Sequence, residues 1–196
     1  MGITSRARGA SLARIFGDAQ NMYMRPGPLS MQLTQRSASW PNIILAGLVL
    51  AVFLFSFAVA SAYQAAHGRL TGRLVLGNVI ETGIILVELV VVLVIFAIVA
   101  RLFRGQGSTL TYVYALVVIS VTAQILSTVL SFIPILGATL SFLLTLYTLY
   151  LIFQATASIH HLPNGTALGA VLVALVVAIL IWLPVVASGI LLKLSA

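Results

Sequence analysis

Two acidic side chains inside a long apolar stretch are the residues of this chain best suited to chemistry. Glu81 and Glu88 lie seven residues apart, so they share one face of a helix two turns apart. Asn78 extends this polar row, and Gln124 in a later apolar stretch is the expected partner of Glu88. The row could line a path for protons or cations, or a protonated carboxyl could join two helices by a hydrogen bond. We favour the second interpretation.

Other catalytic and metal-binding patterns are missing from the sequence. The chain has no cysteine, which excludes disulfides, thiolate catalysis and cysteine-bound metals. His160 and His161 are adjacent, so they point to different sides, and no nearby acidic residue completes a metal site. We interpret them as part of a headgroup-facing loop, residues 158–165. Without a nucleophile–base set or a phosphate-binding loop, we expect no enzyme activity, no metal and no cofactor.

The elements that hold these residues are expected to be membrane-spanning helices. Hydrophobic residues make up 61% of the 196 positions and charged residues only 7%, too few charges for a soluble surface. A span needs about 20 apolar residues, and its backbone must satisfy its own hydrogen bonds. We predict an all-α, polytopic transmembrane helical bundle, residues 41–196, preceded by a tail, residues 1–40. The five predicted spans are residues 43–63, 79–100, 112–133, 135–153 and 167–192.

The tail contains a short amphipathic segment. Residues 11–24 are predicted to form a helix that begins at Ser11 and ends before the sequence Arg-Pro-Gly-Pro at residues 25–28. Nearby arginines could hold this helix on an anionic leaflet, at about 1 kcal/mol for each basic group. The alternative is a disordered leader. Trp40 is expected to anchor the first span at the interface, with Pro41 in its first turn.

The distribution of basic residues predicts the orientation. If the tail lies in the cytoplasm, seven of the ten lysine and arginine residues lie inside, as the positive-inside rule favours. The C-terminus is then periplasmic, and the short loops suggest a bacterial inner membrane. These arginines do not alternate with aromatics on one face, so nucleic acid is not an expected partner. The seven inside residues are Arg6, Arg8, Arg14, Arg25, Arg36, Arg101 and Arg104.

A tight turn joins the third and fourth predicted spans, and small residues open the fifth. Pro134 and Gly137 interrupt an otherwise apolar run, so the two spans are expected to form an antiparallel hairpin. Gly165 and Gly169 lie four residues apart, where small side chains could let two helix backbones approach closely.

The hairpin also carries a family resemblance. The run from Phe132 to Gly137, followed by the Ser/Leu/Tyr-rich stretch 141–150, resembles the central signature of the Yip1 domain family. The five-span layout and the cytoplasmic tail are similar to that family as well. The resemblance implies a membrane protein without agreed catalytic residues. Eukaryotic members are linked to vesicle traffic and small GTPases, whereas most bacterial members have no assigned activity.

Two functions remain open after these exclusions. The first is a non-enzymatic membrane scaffold, adaptor or accessory subunit that binds other membrane proteins through its helix faces, surrounded by membrane lipids. The alternative is a small transporter or ion-channel component that uses Glu81 and Glu88. The small size of the chain and the absence of an inverted repeat argue against the alternative. The sequence therefore favours an adaptor.

Overall fold

The computed structural model describes residues 11–65, 72–130, 132–133 and 136–194. Within these ranges the regular elements are all helices, and five of them are long and apolar enough to cross a membrane. This confirms the predicted all-α class with five spans. The helices are α1 (Leu12–Met24), α2 (Pro28–Leu33), a 3-10 turn (Thr34–Arg36), α3 (Trp40–Ala65), α4 (Gly72–Leu102), α5 (Thr109–Leu130), α6 (Leu136–His160) and α7 (Asn164–Leu194).

Helix α6 is longer than the fourth span predicted from the sequence. That span was expected to end at Phe153, but the helix continues to His160. The predicted span ended where Gln154 interrupts the apolar run. The helix itself continues beyond that point because its backbone hydrogen bonds do not depend on apolar side chains. The hydroxyl of Thr156 even returns to the helix and donates to the carbonyl of Ile152 at 2.8 Å. The predicted loop over residues 158–165 is therefore wrong, and only residues 161–163 connect α6 to α7.

The α4–α5 and α6–α7 connections lie at the same end of the bundle as the start of α3, which we call the Trp40 end. Helices α4 and α6 stop sharply there because Arg104 and His161 adopt left-handed conformations, with φ of 64° and 54°. After Arg104, the amide of Gly105 donates to the carbonyl of Ala100 at 3.1 Å. This hydrogen bond is typical of a helix C-terminus that turns away from its axis.

The α4–α5 connection packs closely on the end of α6. The amide of Gln106 donates to the carbonyl of His160 at 3.3 Å. A Cβ atom added to Gly105 would come within 2.7 Å of the His160 ring, and one added to Gly107 would overlap the carbonyl of Ile159. Both positions therefore require glycine for steric reasons, and their packing fixes α4 and α5 against α6.

Among the described residues, helices α5 and α6 share an extensive interface, as expected of an antiparallel hairpin. In their shared interface Tyr112 is fully buried and its hydroxyl lies 2.8 Å from that of Thr156. Of the two residues predicted to mark the hairpin turn, Gly137 is the second residue of α6 and is buried. Pro134 lies outside the described residues.

The N-terminal helices pack on the bundle. Ile119 is ten residues from the start of α5, about 15 Å along its axis, so α1 runs beside the first half of that helix. The apolar face of α1 is buried there, with Met22 completely covered. Hydrogen bonds join Ser11 to Asn42 (3.1 Å), Asp18 to Tyr114 (2.7 Å), Tyr23 to the Ile119 carbonyl (2.8 Å) and Tyr147 to the Tyr23 carbonyl (2.6 Å).

Candidate interaction site at the centre of the spans

Glu88 lies near the middle of α4, about 24 Å from its first residue and about 21 Å from its last. Its side chain is exposed at the surface of the chain. At this depth in a bilayer, an ionised carboxyl costs roughly 2.5 to 3.5 kcal/mol on insertion scales. Ile84, one turn before it, and the adjacent Val87 are also exposed, so α4 presents an open surface at this level. Glu88 therefore needs polar surroundings that this chain supplies only in part.

The polar groups that the chain does supply line a small pocket beside Glu88. This pocket has a volume of about 250 Å³ and lies between α3, α4 and α5. Gln124, the partner expected from the sequence, lines it together with Ser120. Within the described residues, no direct hydrogen bond joins Glu88 to Gln124. Leu50, Ile85, Leu89 and Val92 complete the lining.

The sequence analysis did not identify Ser120, although its spacing from Gln124 could have indicated it. It lies four residues before Gln124 on α5, so the two side chains share one helix face. A serine hydroxyl and a carboxamide can each donate a hydrogen bond to a carboxylate or accept one from a carboxylic acid. The pocket is thus chemically suited to hold Glu88 beside one further polar side chain or water molecules.

The pocket is short compared with the membrane. Along α4 its lining runs from Ile85 to Val92, a rise of about 10 Å against a hydrocarbon core of about 30 Å. Asn78 and Glu81, which the sequence placed in the same row, belong to α4, but their side chains lie outside the described part of the structure. The described residues therefore form a local polar site and do not trace a path across the bilayer.

A second group of polar residues ties α1 to the bundle. Asn42 is 1% exposed, accepts the Ser11 amide through Oδ1 and donates through Nδ2 to the Ser37 carbonyl at 2.7 Å. Tyr23 and Tyr147 pack with ring centroids 5.9 Å apart. Burial, assisted by Tyr147, raises the pKa of Tyr23 to about 12, so its hydroxyl stays protonated and donates to α5. None of these contacts was apparent from the sequence.

Several of the predicted topology residues lie at the Trp40 end. Trp40 is the first residue of α3 and is 63% exposed, as an interfacial anchor requires. Arg101 donates from Nε to the hydroxyl of Thr109 at 2.9 Å, and its Nη2 also contacts this oxygen. Arg36 ends the 3-10 turn, and Arg104 follows α4.

The four remaining basic residues of this set belong to the N-terminal segment. Arg14 and Arg25 are exposed on α1 and at its C-terminal cap, beside the bundle and not on a separate surface helix. Arg6 and Arg8 lie outside the described residues. A leaflet contact by these arginines therefore stays a prediction.

The two glycines predicted for helix packing differ in their surroundings. A Cβ atom added to Gly165 would meet nothing within 4 Å, whereas one added to Gly169 would lie 3.6 Å from the ring of Phe103. Gly169 therefore contributes to packing within the chain. The small residues that α7 buries most completely are alanines, which the search for glycine pairs overlooked: Ala167, Ala170 and Ala174.

His160 does not face the lipid headgroups as the sequence suggested. It is 1% exposed, and its ring packs edge-on against Tyr112 with centroids 4.6 Å apart. Neither of its ring nitrogens has a hydrogen-bond partner within the described structure. The extension of α6 explains this burial, because it carries His160 beneath the α4–α5 connection.

Comparison with known protein families identifies the family of this chain. A family model described as the Yip1 domain matches residues 24–186, which run from the end of α1 into α7. Searches of curated proteins and of solved structures found no match.

Proposed function

Since this chain belongs to the Yip1 domain family, we propose that it is a non-enzymatic membrane adaptor or accessory subunit. It binds another membrane protein through the helix faces around Glu88. The observation that carries this proposal is the exposed carboxyl of Glu88 at the centre of α4, beside Gln124 and Ser120. Intramembrane carboxyls normally face a bundle interior or a water-filled cavity. A partner helix over Glu88 would complete such an interior.

The chemistry of the pocket defines the partner's side chain. A helix that brings Asn, Gln, Ser or Thr against Glu88 can form an interhelical hydrogen bond, worth roughly 0.6 to 2 kcal/mol in a membrane. The same helix would remove Glu88 from lipid, where its ionised form is unfavourable. The partner is therefore recognised by one polar contact within an apolar helix face. Specificity arises because a fully apolar helix would leave Glu88 without a hydrogen bond.

Substitutions at Glu88 test whether its side chain contacts a partner helix or only lipid. Glu88→Gln keeps hydrogen-bonding capacity and should retain the partner during mild extraction from native membranes. Glu88→Leu removes that capacity and should reduce the amount of co-purified partner about fivefold or more, as expected from about 1 kcal/mol or more. Val87→Leu is the matched control, because Val87 is 61% exposed and already apolar. Equal recovery of the partner with all three variants would contradict the proposal.

A transporter or channel component that uses Glu88, and Glu81 beside it, is the second candidate. The pocket containing Glu88 and Gln124 supports it, but its lining covers only about a third of the bilayer thickness. Under this hypothesis Glu88→Gln would abolish proton or cation flux in reconstituted vesicles without affecting folding. Flux that is unchanged by Glu88→Gln, or no flux above that of protein-free vesicles, would eliminate this candidate.

We also propose that the Trp40 end faces the cytoplasm of a bacterial inner membrane and that the C-terminus is periplasmic. Arg36, Arg101 and Arg104 at that end support this orientation through the positive-inside rule. The chain has no cysteine, so a single introduced cysteine reports one position. A membrane-impermeant maleimide should label Gln106→Cys in inverted vesicles but not in intact cells. The reverse pattern would overturn the orientation.

A further inference from the structure

A second and larger groove opens between α3, α4 and α5 at the Trp40 end. Its volume is about 940 Å³, and its walls are mostly aliphatic side chains of these three helices. Its polar lining groups, among the described residues, are Trp40, Arg101 and Thr109, all at the ends of helices. The groove therefore combines an apolar interior with a cationic mouth. It is distinct from the Glu88 pocket, although Leu89 lines both.

The depth of this groove is less than the thickness of a bilayer. Its lining covers about 12 Å along α5 (Thr109 to Val117), about 17 Å along α3 (Trp40 to Ala51) and about 24 Å along α4 (Leu102 to Leu86). The hydrocarbon core is about 30 Å thick. A transmembrane helix would therefore extend beyond the groove on the side away from Trp40. A single acyl chain, which enters from one leaflet, fits this depth.

The mouth of the groove has the charge needed for a phosphate group. The guanidinium of Arg101 is exposed and donates to the Thr109 hydroxyl, which holds it beside the groove. Arginine carries five N–H donors, so those that do not contact Thr109 can bind two oxygens of a phosphate. None of the described acidic residues lines the groove to neutralise this charge. Trp40 lies at the same level, where indole rings favour the headgroup region.

We propose that this groove is a binding site for an anionic glycerophospholipid. One acyl chain fills the space between α3, α4 and α5, and the phosphate pairs with Arg101. The site is independent of the proposed adaptor role, because it uses neither Glu88 nor a protein partner. Both lipid classes offer a phosphate to Arg101, but the ammonium group of a zwitterionic lipid finds no acidic partner among the described residues that line the groove. The site should therefore prefer an acidic lipid over a zwitterionic one of the same chain length.

Lipid titration followed by native mass spectrometry tests this site on the full-length, delipidated protein. The two probes are dioleoyl phosphatidylglycerol and dioleoyl phosphatidylethanolamine. The wild type should bind one phosphatidylglycerol more tightly than any phosphatidylethanolamine. Arg101→Gln should weaken phosphatidylglycerol binding about tenfold, the loss expected for a charge-assisted hydrogen bond, and should remove most of the preference over phosphatidylethanolamine. An exposed arginine outside the groove gives the control Arg25→Gln, which should behave as wild type.

A steric variant tests the apolar part of the site separately. A Cβ atom at Gly47 meets nothing within 4 Å, so Gly47→Trp can place an indole in the groove without displacing the backbone. It should abolish tight binding of both lipids. Gly83→Trp is the matched control, because Gly83 is equally open but does not line the groove. The proposal is overturned if Arg101→Gln keeps the wild-type lipid preference. It is also overturned if a dimer, dissociated by Gly47→Trp, shows that a second copy fills the groove.

Discussion

The docking of α1 on the bundle can be tested with two methionines that lie two residues apart. Met22 is 0% exposed in the structure, whereas Met24 is 75% exposed. Truncating a buried methionine to alanine destabilises by about 2 to 5 kcal/mol, through lost apolar burial and the cavity left behind. The same change at an exposed site alters stability by about 0.5 kcal/mol or less. Met22→Ala should therefore weaken the docking of α1, and Met24→Ala should not.

Amide hydrogen exchange of the peptides that cover α1 measures this docking directly. A loss of 2 kcal/mol or more raises the population of the undocked helix about thirtyfold or more, since about 1.4 kcal/mol corresponds to a factor of ten. Exchange in α1 should accelerate by that factor in Met22→Ala, with α5 and α6 unchanged. Equal exchange rates in Met22→Ala and Met24→Ala would show that α1 lies on the membrane surface and would refute the packing described above.

Three further predictions concern the same end of the molecule. Asn42→Ala removes two hydrogen bonds that hold the N-terminal segment. Amide exchange in α1 should therefore accelerate about five- to a hundredfold. Unchanged exchange would contradict the role of Asn42 in holding α1. Gly107→Ala should lower the melting temperature, because the added methyl group would overlap the Ile159 carbonyl. Gly165 has open space around it, so Gly165→Ala should leave the melting temperature nearly unchanged. Equal melting temperatures of the two variants would argue against the close packing at Gly107. Since the pKa of Tyr23 is raised from 10.0 to about 12, its contribution to docking is complete below pH 10 and is lost as the pH rises to about 12. The protection factor of α1, which removes the intrinsic rise of amide exchange with pH, should fall over that interval in the wild type, and a similar fall in Tyr23→Phe would assign the effect to another group.

The membrane-spanning part of the fold could be predicted because apolar length is a strong constraint. Each predicted span corresponds to one of the helices α3 to α7, since lipid permits few alternatives to a helix with satisfied backbone groups. The end of α6 was missed because small polar residues interrupt hydropathy without interrupting a helix. Thr156, for example, satisfies its hydroxyl within α6.

The packing of α1 could not be predicted for a different reason. An amphipathic helix can place the same apolar face on a leaflet or on a protein, and the pattern alone does not distinguish these surfaces. The hydrogen bonds that decide the matter join residues far apart in sequence, such as Tyr23 with Ile119. Gly105 and Gly107 posed the same problem, because their need for glycine arises from contacts with the end of α6.

The candidate site was predictable in its components but not in its exposure. Spacing identified Glu88, and depth in the bilayer suggested Gln124 as its neighbour; both residues line one pocket. The sequence did not indicate how far the Glu88 side chain is exposed at the surface of the chain. Which face of α4 packs inward depends on α3, α5 and α7 together, and a nearly uniform apolar helix gives little indication of it.

Site-specific photocrosslinking in native membranes tests most directly whether another protein covers Glu88. Ile84 lies one turn before Glu88 on α4 and is 53% exposed, so a photoreactive residue there reports on the same helix face. Leu172 on α7 is 54% exposed and serves as the control position. We expect one discrete protein adduct from position 84 that disappears with Glu88→Leu and persists with Glu88→Gln. Only lipid adducts at both positions, or an adduct insensitive to Glu88→Leu, would contradict the adaptor function.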